Sequence, residues 1–170
     1  MNPKLVIKNE TIADADAIAA VTVAAFRSLA VSRQTEQYII AALRKAGALT
    51  VSLVAELDGR VVGHIAFSPV DISDGSPGWY GLGPLSVVPE HQWQGIGTAL
   101  VRQGLSRLAG LGARGCCVVG HPQYYPRFGF RNVPGLVLAG VPAEVFFALS
   151  FDGRYPEGNV LFHPGFQAEG

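Results

Sequence analysis

The sequence predicts an α/β fold of the mixed α+β type, because stretches with strand and helix periodicity follow one another along the chain. Apolar residues alternate over 51–57 and again over 60–68, on either side of an Asp-Gly pair. This is a strong signal for a β-hairpin. An apolar, β-prone stretch over 85–88 is followed, over 97–111, by apolar residues at helical spacing. The two patterns predict a strand, a short turn and a helix.

The N-terminal part is predicted to form a strand over 5–7 and two helices. Thr11 and Asp14 have the spacing of a capping box, with Asp in place of the usual Glu, and predict a helix over 14–26. A second helix is predicted over 32–46. The residues expected on the packed sides of these helices are Ile18, Val21 and Ala25 in the first, and Tyr38, Ile39, Ala42 and Leu43 in the second.

The central strand is predicted over 79–88, and its regularity is interrupted by Gly81, Gly83 and Pro84. Such residues within a strand are typical of a β-bulge. After the helix, a buried strand is predicted over 116–119. Three further short strands complete a mixed sheet, over 136–138, 146–149 and 159–162.

The composition limits the functional classes. The 170 residues are expected to form one domain spanning 1–170, with 13 basic and 13 acidic residues. No hydrophobic signal core opens the chain and no apolar run is long enough to cross a bilayer, so we expect a cytoplasmic protein that binds neither membrane nor nucleic acid. The adjacent Cys116 and Cys117 have no metal-ligand spacing, and no metal site is predicted.

The turn between strand 85–88 and the following helix is a candidate anion site. Gly95 and Gly97 have no Cβ to hold a ligand away from the main chain, and a helix N-terminus carries unpaired N–H groups. From 91 to 143 the chain has no Asp or Glu. That interval contains the arginines 102, 107, 114, 127 and 131. The segregation favours a locally positive surface and a phosphate-bearing ligand.

Two common phosphate motifs do not fit this turn. A P-loop needs Lys and Ser/Thr directly after its last glycine, but Gly97 is followed by Thr98-Ala99. A dinucleotide fingerprint needs a third glycine where Leu100 stands. A Gln-x-x-Gly-x-Gly pattern over 92–97 remains.

Two motifs together resemble the GNAT superfamily of N-acetyltransferases. The first, over 92–97, resembles the pyrophosphate loop for acetyl-CoA, and the second, over 124–130, resembles the Tyr-x-x-x-Gly-Phe motif that follows strand five of those enzymes. The hairpin over 51–69 and the run over 81–85 further resemble the YhbS-like subgroup of predicted bacterial acetyltransferases. The resemblance is strong over 51–130 and weaker at both ends.

The resemblance implies a GNAT-like fold, with a mostly antiparallel mixed sheet splayed between its fourth and fifth strands and flanked by helices. It also implies an acetyl-CoA-dependent N-acetyltransferase that transfers the acetyl group directly to a primary amine, without a metal. By the family's spacing, Tyr125 matches the acid that protonates the departing thiolate, and Tyr124 takes its place if the register shifts by one. The implied acetyl-CoA contacts are Leu85, Ser86, Val87, Val88, Gln92, Trp93, Gln94, Gly95, Ile96, Gly97, Thr98, Tyr125 and Phe128.

The residue that removes the amine proton is left open by the sequence. His121 follows a strand at its carboxyl end, and an imidazole accepts protons near neutral pH. Asp71, Asp74 and ordered water are the alternatives. We expect Glu56 to be a solvated carboxylate and His64 to be packed within its strand.

Other functions also remain open at this point. The acceptor is a small molecule or a peptide amine, and a homodimer is left open. The rival hypotheses are a non-catalytic acyl-CoA-binding sensor with the same fold and a nucleotide-binding module unrelated to CoA.

Overall fold

The computed structural model describes residues 4–170, and it confirms the mixed α/β architecture. Its helices are α1 (Ala15–Phe26), α2 (Glu36–Lys45) and α3 (Ile96–Gly110). Its strands are β1 (Leu5–Asn9), β2 (Val51–Leu57), β3 (Arg60–Ile72), β4 (Trp79–Val87), β5 (Gly115–Val119), β6 (Leu136–Val137), β7 (Phe146–Ser150) and β8 (Gly158–Phe162). The elements agree in kind and order with those predicted from the sequence.

The predicted capping box is confirmed at the start of α1. Asp14 Oδ2 accepts hydrogen bonds from the Thr11 N–H at 2.8 Å and from the Thr11 hydroxyl at 3.2 Å. The box encloses one turn of 3₁₀-helix, Ile12–Asp14, which continues directly into α1. It therefore satisfies orphan N–H groups at the helix start.

The second helix begins later than the predicted residue 32. Ser32 accepts a hydrogen bond from the Gln34 N–H at 2.9 Å, and its hydroxyl donates to the Glu36 carboxylate at 2.8 Å. Gln34 has a left-handed φ of 63°, which an α-helix cannot contain. The segment before Glu36 is consequently a turn. Tyr38 was expected on the packed side but is 41% exposed, whereas Ile40 is buried.

The strands form one sheet with the path β1-β2-β3-β4-β5-β7. Every neighbouring pair on this path is antiparallel except β4 and β5, which are parallel. The parallel pairing covers only Trp79–Gly81 of β4 against Gly115–Cys117 of β5. Beyond it the two strands have no further paired residues, so the sheet is splayed between the fourth and fifth strands, as expected.

Strand β3 is longer than predicted. Its end, at Val70–Ile72, pairs with β8, and Asp71 therefore belongs to a strand. Between Ile65 and Phe67 its register against β4 shifts, opposite Gly83 and Pro84. The bulge predicted from these residues is confirmed.

The sheet is covered on both faces. On one face α3 packs on apolar residues of β2, β3, β4 and β5, including the buried Leu53, Phe67 and Leu82. On the other face α1 and α2 pack on Val54 through Ile18 and Ile40. Cys116 joins the first layer and Cys117 a separate apolar cluster around Trp79, so the two thiols are buried on opposite faces of β5.

Candidate functional site

The candidate site forms where β4 ends and α3 begins. Gly95 is the N-cap residue of α3, with a left-handed φ of 86°, and a Cβ placed on it would face open space. The N–H of Ala99 bonds to the carbonyl of Gly95 at 3.0 Å. The preceding N–H groups of the first turn, at 96–98, have no intrahelical acceptor and point out of the helix end.

A cleft of about 750 Å³ opens at this helix end, between α3 and the segment that follows β5. Its lining residues are Leu85, Val87, His91, Gln92, Trp93, Gly95, Ile96, Gly97, Thr98, His121, Gln123, Tyr124 and Arg127. Eight of the residues predicted to contact acetyl-CoA lie in this lining, as does His121. Trp93 has a left-handed φ of 66° and a fully exposed side chain.

The backbone of Val87 points toward the gap between β4 and β5. The N–H of Val88 bonds to the Val62 carbonyl at 2.9 Å, and such ladder pairs alternate along an antiparallel pair of strands. Val87, opposite Gly63, therefore turns its N–H and C=O away from β3. In agreement, its carbonyl accepts a hydrogen bond from Gln92 Nε2 at 3.0 Å. The Val87 N–H is a free donor at the splayed edge.

The two adjacent tyrosines lie in different environments. The Tyr124 hydroxyl lies in the cleft, 3.2 Å from Thr98 Oγ1 and 3.4 Å from the position that a Cβ on Gly97 would take. Tyr125 is buried, does not line the cleft, and packs edge-on against Phe130 with ring centroids 5.9 Å apart. Burial raises the pKa of Tyr125 above its ordinary value, with smaller contributions from Tyr124 and Cys116. Tyr125 therefore stays protonated at neutral pH.

Arg127 fixes the orientation of Tyr124. Its Nε donates to the Tyr124 carbonyl at 2.9 Å, and its guanidinium lies over the Tyr124 ring at 4.6 Å from the centroid. Such a stack is a cation–π contact. Arg127 is also the cation that this cleft contributes for a phosphate.

The other arginines of the acid-free interval do not line the cleft. Arg107 bonds to Asn9, Arg102 lies over Phe128, and Arg131 over Tyr155. The positive surface expected from the charge segregation is consequently reduced at the cleft to Arg127 and the N-terminus of α3. The arginines are grouped along the sequence, but the fold distributes them over several surfaces.

His121 lies at the rim of the cleft in a hydrogen-bonded turn. Its Nδ1 accepts the Gln123 N–H at 3.1 Å, so the neutral ring carries its proton on Nε2. An imidazole in this tautomer offers a donor, not a lone pair, to a ligand in the cleft. His121 would have to break this bond before it could accept a proton at Nδ1.

The carboxylates considered from the sequence lie away from the cleft. Asp71 is exposed on β3 where that strand pairs with β8. Asp74 accepts hydrogen bonds from the N–H groups of Ser76 at 2.9 Å and Glu157 at 3.0 Å, which lower the pKa of its carboxyl and identify a turn-forming role. Glu56 was expected in solvent, but it is largely buried and pairs with Lys8 at 3.2 Å.

Some predicted contacts fall outside the lining, and some lining residues were not predicted. Ser86 is buried on the opposite face of β4, and Phe128 packs against Tyr124. Val88, Gln94 and Tyr125 are likewise absent from the lining. The unpredicted members are His91, Gln123 and Arg127. Arg127 could have been predicted from the sequence as a residue of the cleft, because it lies in the acid-free interval and inside the second motif.

Within the part of the chain that the structure describes, no three His, Cys, Asp or Glu side chains come together as metal ligands. Over the same residues, no helix has both the length and the apolar character needed to cross a bilayer.

Comparison with known proteins agrees with this geometry. Residues 18–130 match the model of the acetyltransferase (GNAT) family. An uncharacterized N-acetyltransferase of Escherichia coli (strain K12), YhbS, is 38% identical over 128 residues, which cover 75% of this chain and 74% of that protein.

Two solved structures are similar over almost the whole chain. A GNAT family acetyltransferase from Brucella melitensis, in complex with acetyl-CoA, is 49% identical with a TM-score of 0.87, over 96% of this chain and 98% of that one. The structure of E. coli YhbS in complex with CoA is 31% identical with a TM-score of 0.89, over 100% and 96% of the two chains. Because the family model spans most of the chain, and YhbS is related over three quarters of it, this protein belongs to the GNAT family of acetyltransferases.

Proposed function

We propose that the protein is an acetyl-CoA-dependent N-acetyltransferase that transfers the acetyl group directly to a primary amine. The observation that carries this proposal is the cleft at the N-terminus of α3, which meets the free N–H of Val87 at the splayed edge of β4. The Brucella protein and YhbS, which share this fold, were solved with acetyl-CoA and CoA respectively.

The lining fits the two ends of such a ligand. The first-turn N–H groups of α3, the open space over Gly95 and the guanidinium of Arg127 suit a pyrophosphate. Leu85 and Val87 provide an apolar wall beside the gap in the sheet, which suits a narrow alkyl-amide arm. Acetyl-CoA combines these two parts in one molecule.

The chain would assist the reaction chiefly by hydrogen bonding. As an amine nitrogen attacks the thioester carbon, negative charge develops on the carbonyl oxygen. The Val87 N–H, free and aimed into the gap, is suited to donate to that oxygen. No serine or cysteine of the cleft lining competes as a nucleophile, since neither residue type occurs there. This supports direct transfer over an acetylated intermediate.

The thiolate that leaves needs a proton, and two phenols compete to supply it. The motif spacing selects Tyr125, whereas the hydroxyl that lines the cleft belongs to Tyr124. On this geometry we assign the role of proton donor to Tyr124. Tyr125 is the alternative donor, and a comparison of matched variants of the two residues distinguishes them. A phenol at neutral pH is protonated and can act as this acid.

The experiment that tests the function is release of free thiol from acetyl-CoA, measured with a panel of primary amines and followed by mass spectrometry of the products. We expect thiol release that depends on the amine, and a product that carries one acetyl group on nitrogen. Tight binding of acetyl-CoA without release for any amine would instead support a non-catalytic acyl-CoA sensor. Equal competition by ATP would contradict the assignment of the cleft to CoA.

A further inference from the structure

A line of polar side chains, partly exposed at Glu10 and buried at Ser52 and His64, crosses the face of the sheet that α1 and α2 cover. It runs from Glu10 through Ser52 to His64. The Ser52 hydroxyl donates to Glu10 Oε1, and its oxygen lies 2.8 Å from His64 Nε2. Arg44 holds the same carboxylate from outside, with its Nε 2.9 Å from Glu10 Oε2.

These contacts fix the tautomer of His64. A serine hydroxyl has one proton, and here that proton is given to Glu10. Ser52 must therefore accept from His64, so Nε2 carries the imidazole proton. It follows that Nδ1 presents a bare lone pair. Nδ1 is buried and has no hydrogen-bond partner.

Ser86 stands directly across from His64 in the sheet. It is the β4 partner of His64 in the antiparallel register, and Cβ atoms in such a pair lie about 5 Å apart. Ser86 is 1% exposed, and its hydroxyl also has no partner. Two facing groups, one an acceptor and one able to donate and accept, are thus both left unsatisfied. A polar group that hydrogen-bonds to both of them would satisfy both.

The location of Ser86 links the pair to the cleft. Its neighbours Leu85 and Val87 line the cleft on one face of β4, and Ser86 alternates to the other face. All three lie beyond Gly81, where the pairing of β4 with β5 ends. A molecule that enters the gap between the strands from the α1 side would meet the Ser86 hydroxyl within one residue of the Val87 N–H.

We propose that Ser86 and His64 remove the proton from the acceptor amine, an inference that rests on the acetyl transfer proposed above. One N–H bond of the attacking amine breaks, and its proton goes to Ser86 Oγ. The proton already on Ser86 Oγ passes to a water that joins the two unsatisfied groups, and that water gives one of its own protons to His64 Nδ1, so the serine and the water end as they began. His64 becomes an imidazolium beside the Glu10 carboxylate, 3.5 Å from Nε2, and releases the proton to water when the product leaves.

The electrostatics around His64 suit this role. Burial lowers the pKa of His64, against the hydrogen bond and charge of Glu10, which raise it; Arg44 is the other charged group that acts on it. The ring is thus neutral and able to accept a proton at pH 7. Burial raises the pKa of Glu10, but hydrogen bonds from His64, Arg44 and Ser52 outweigh this and lower it to about 2. Glu10 is therefore a permanent anion next to the imidazolium that forms.

Ser68 provides a matched control for Ser86. It lies on β3 four residues after His64, is buried, and also has an unpartnered hydroxyl. Its register partner is Gly81, where β4 is still paired with β5. Ser68→Ala thus removes the same group from the same layer, away from the gap. His64→Gln keeps a side-chain amide for Ser52 but has no basic nitrogen.

The test uses the full chain and the amine that gives the fastest thiol release. We expect Ser86→Ala and His64→Gln to lower kcat roughly 10²-fold or more, with acetyl-CoA affinity and Tm close to those of Ser68→Ala. We expect the acid-side inflection of kcat/KM to disappear in His64→Gln and to remain in Ser68→Ala. Unchanged kcat and an unchanged inflection in His64→Gln would overturn the proposal.

Two measurements on the wild-type chain need no variant. Imidazole nitrogen NMR should find His64 protonated on Nε2 and bare on Nδ1, and a proton on Nδ1 would overturn the proposal. Mass spectrometry after incubation with acetyl-CoA should find Ser86 unmodified. An acetyl group on Ser86 would show that it acts as a nucleophile and would overturn its role in proton transfer. A wild type that transfers nothing to any amine would overturn the proposed function itself, and this role with it.

Discussion

The hydroxyl groups of Tyr124 and Thr98 lie 3.2 Å apart across the mouth of the cleft. Tyr124 belongs to the segment after β5, and Thr98 to the first turn of α3. The contact thus joins the two walls of the cleft. Arg127 lies over the face of the same ring. The phenol is held in place before any ligand arrives, so it does not need to be ordered during binding.

Tyr124→Phe should lower kcat for acetyl transfer by roughly 10²–10⁴-fold, because it removes a proton donor and leaves the ring in place. Acetyl-CoA affinity and Tm should change little. The measurement is amine-dependent thiol release under saturating acetyl-CoA.

Tyr125→Phe is the control, measured side by side in the same assay. Its ring packing against Phe130 is retained, and we expect a loss of no more than a few-fold. A larger loss in Tyr125→Phe than in Tyr124→Phe would assign the acid to Tyr125, as the motif spacing implies. Losses of a few-fold in both would mean that solvent protonates the thiolate.

Gly95→Val should weaken CoA binding, because a β-branched side chain over the first turn of α3 would occupy the space that faces the N–H groups. Gly112→Val is the matched control at the other end of the helix. Both glycines have a φ of 86° and open space around a Cβ, so both variants incur a similar backbone strain of roughly 1–2 kcal/mol. Calorimetric titration with CoA should separate them, with a loss of affinity in Gly95→Val alone. Equal affinities would contradict the loop assignment.

Gly104→Ala should destabilise the protein by about 1–3 kcal/mol, because the helix packs too closely on β3 for a methyl group. A Cβ on Gly104 would overlap Cε2 of Phe67, which is fully buried. Gly110→Ala, in the same helix with nothing within 4 Å, should instead stabilise by about 0.4–1 kcal/mol. Urea unfolding monitored by circular dichroism measures both. A neutral Gly104→Ala would show that Phe67 can shift without cost.

The buried His64 predicts a pH dependence of stability. Folding lowers the pKa of His64 below its ordinary 6.5, so below that pH the unfolded chain binds a proton that the native chain resists. The free energy of unfolding should therefore fall as the pH drops from 6.5 toward about 5, while most carboxylates titrate at lower pH. His64→Gln should flatten this dependence, and Ser68→Ala should keep the wild-type slope. Parallel slopes in Tm against pH for His64→Gln and the wild type would contradict the prediction.

Much of the cofactor half of the cleft could be predicted from the sequence because its determinants are local. Gly95 and Gly97, the strand before them and the helix after them occupy neighbouring positions, and backbone rules alone place them together. The bulge at Gly83 and Pro84 was predictable for the same reason. Which of the two tyrosines faces the cleft could not be predicted. A register shift of one residue exchanges their positions, and the short 3₁₀ turn Tyr125–Phe128 does not have the regular period of an α-helix.

The polar line beneath α1 could not be predicted from the sequence. Glu10, Ser52, His64 and Ser86 come from four separate segments, and only the sheet register brings them together. The alternation of β3 correctly placed His64 inside, but alternation does not say which polar groups share a layer. For the same reason the charge segregation overestimated the basic character of the cleft, because it counts arginines along the chain and not around a surface.

The adjacent Cys116 and Cys117, buried on opposite faces of β5, give the chain an internal reporter of local opening. Burial raises the pKa of both thiols, that of Cys117 to about 12, so neither reacts with an alkylating reagent while its layer is closed. Alkylation of Cys116 marks separation of α3 from the sheet, and alkylation of Cys117 marks separation of the cluster around Trp79. The relative alkylation rates of the two neighbouring sulfurs thus measure which face of β5 opens locally more often, with no label added to the protein.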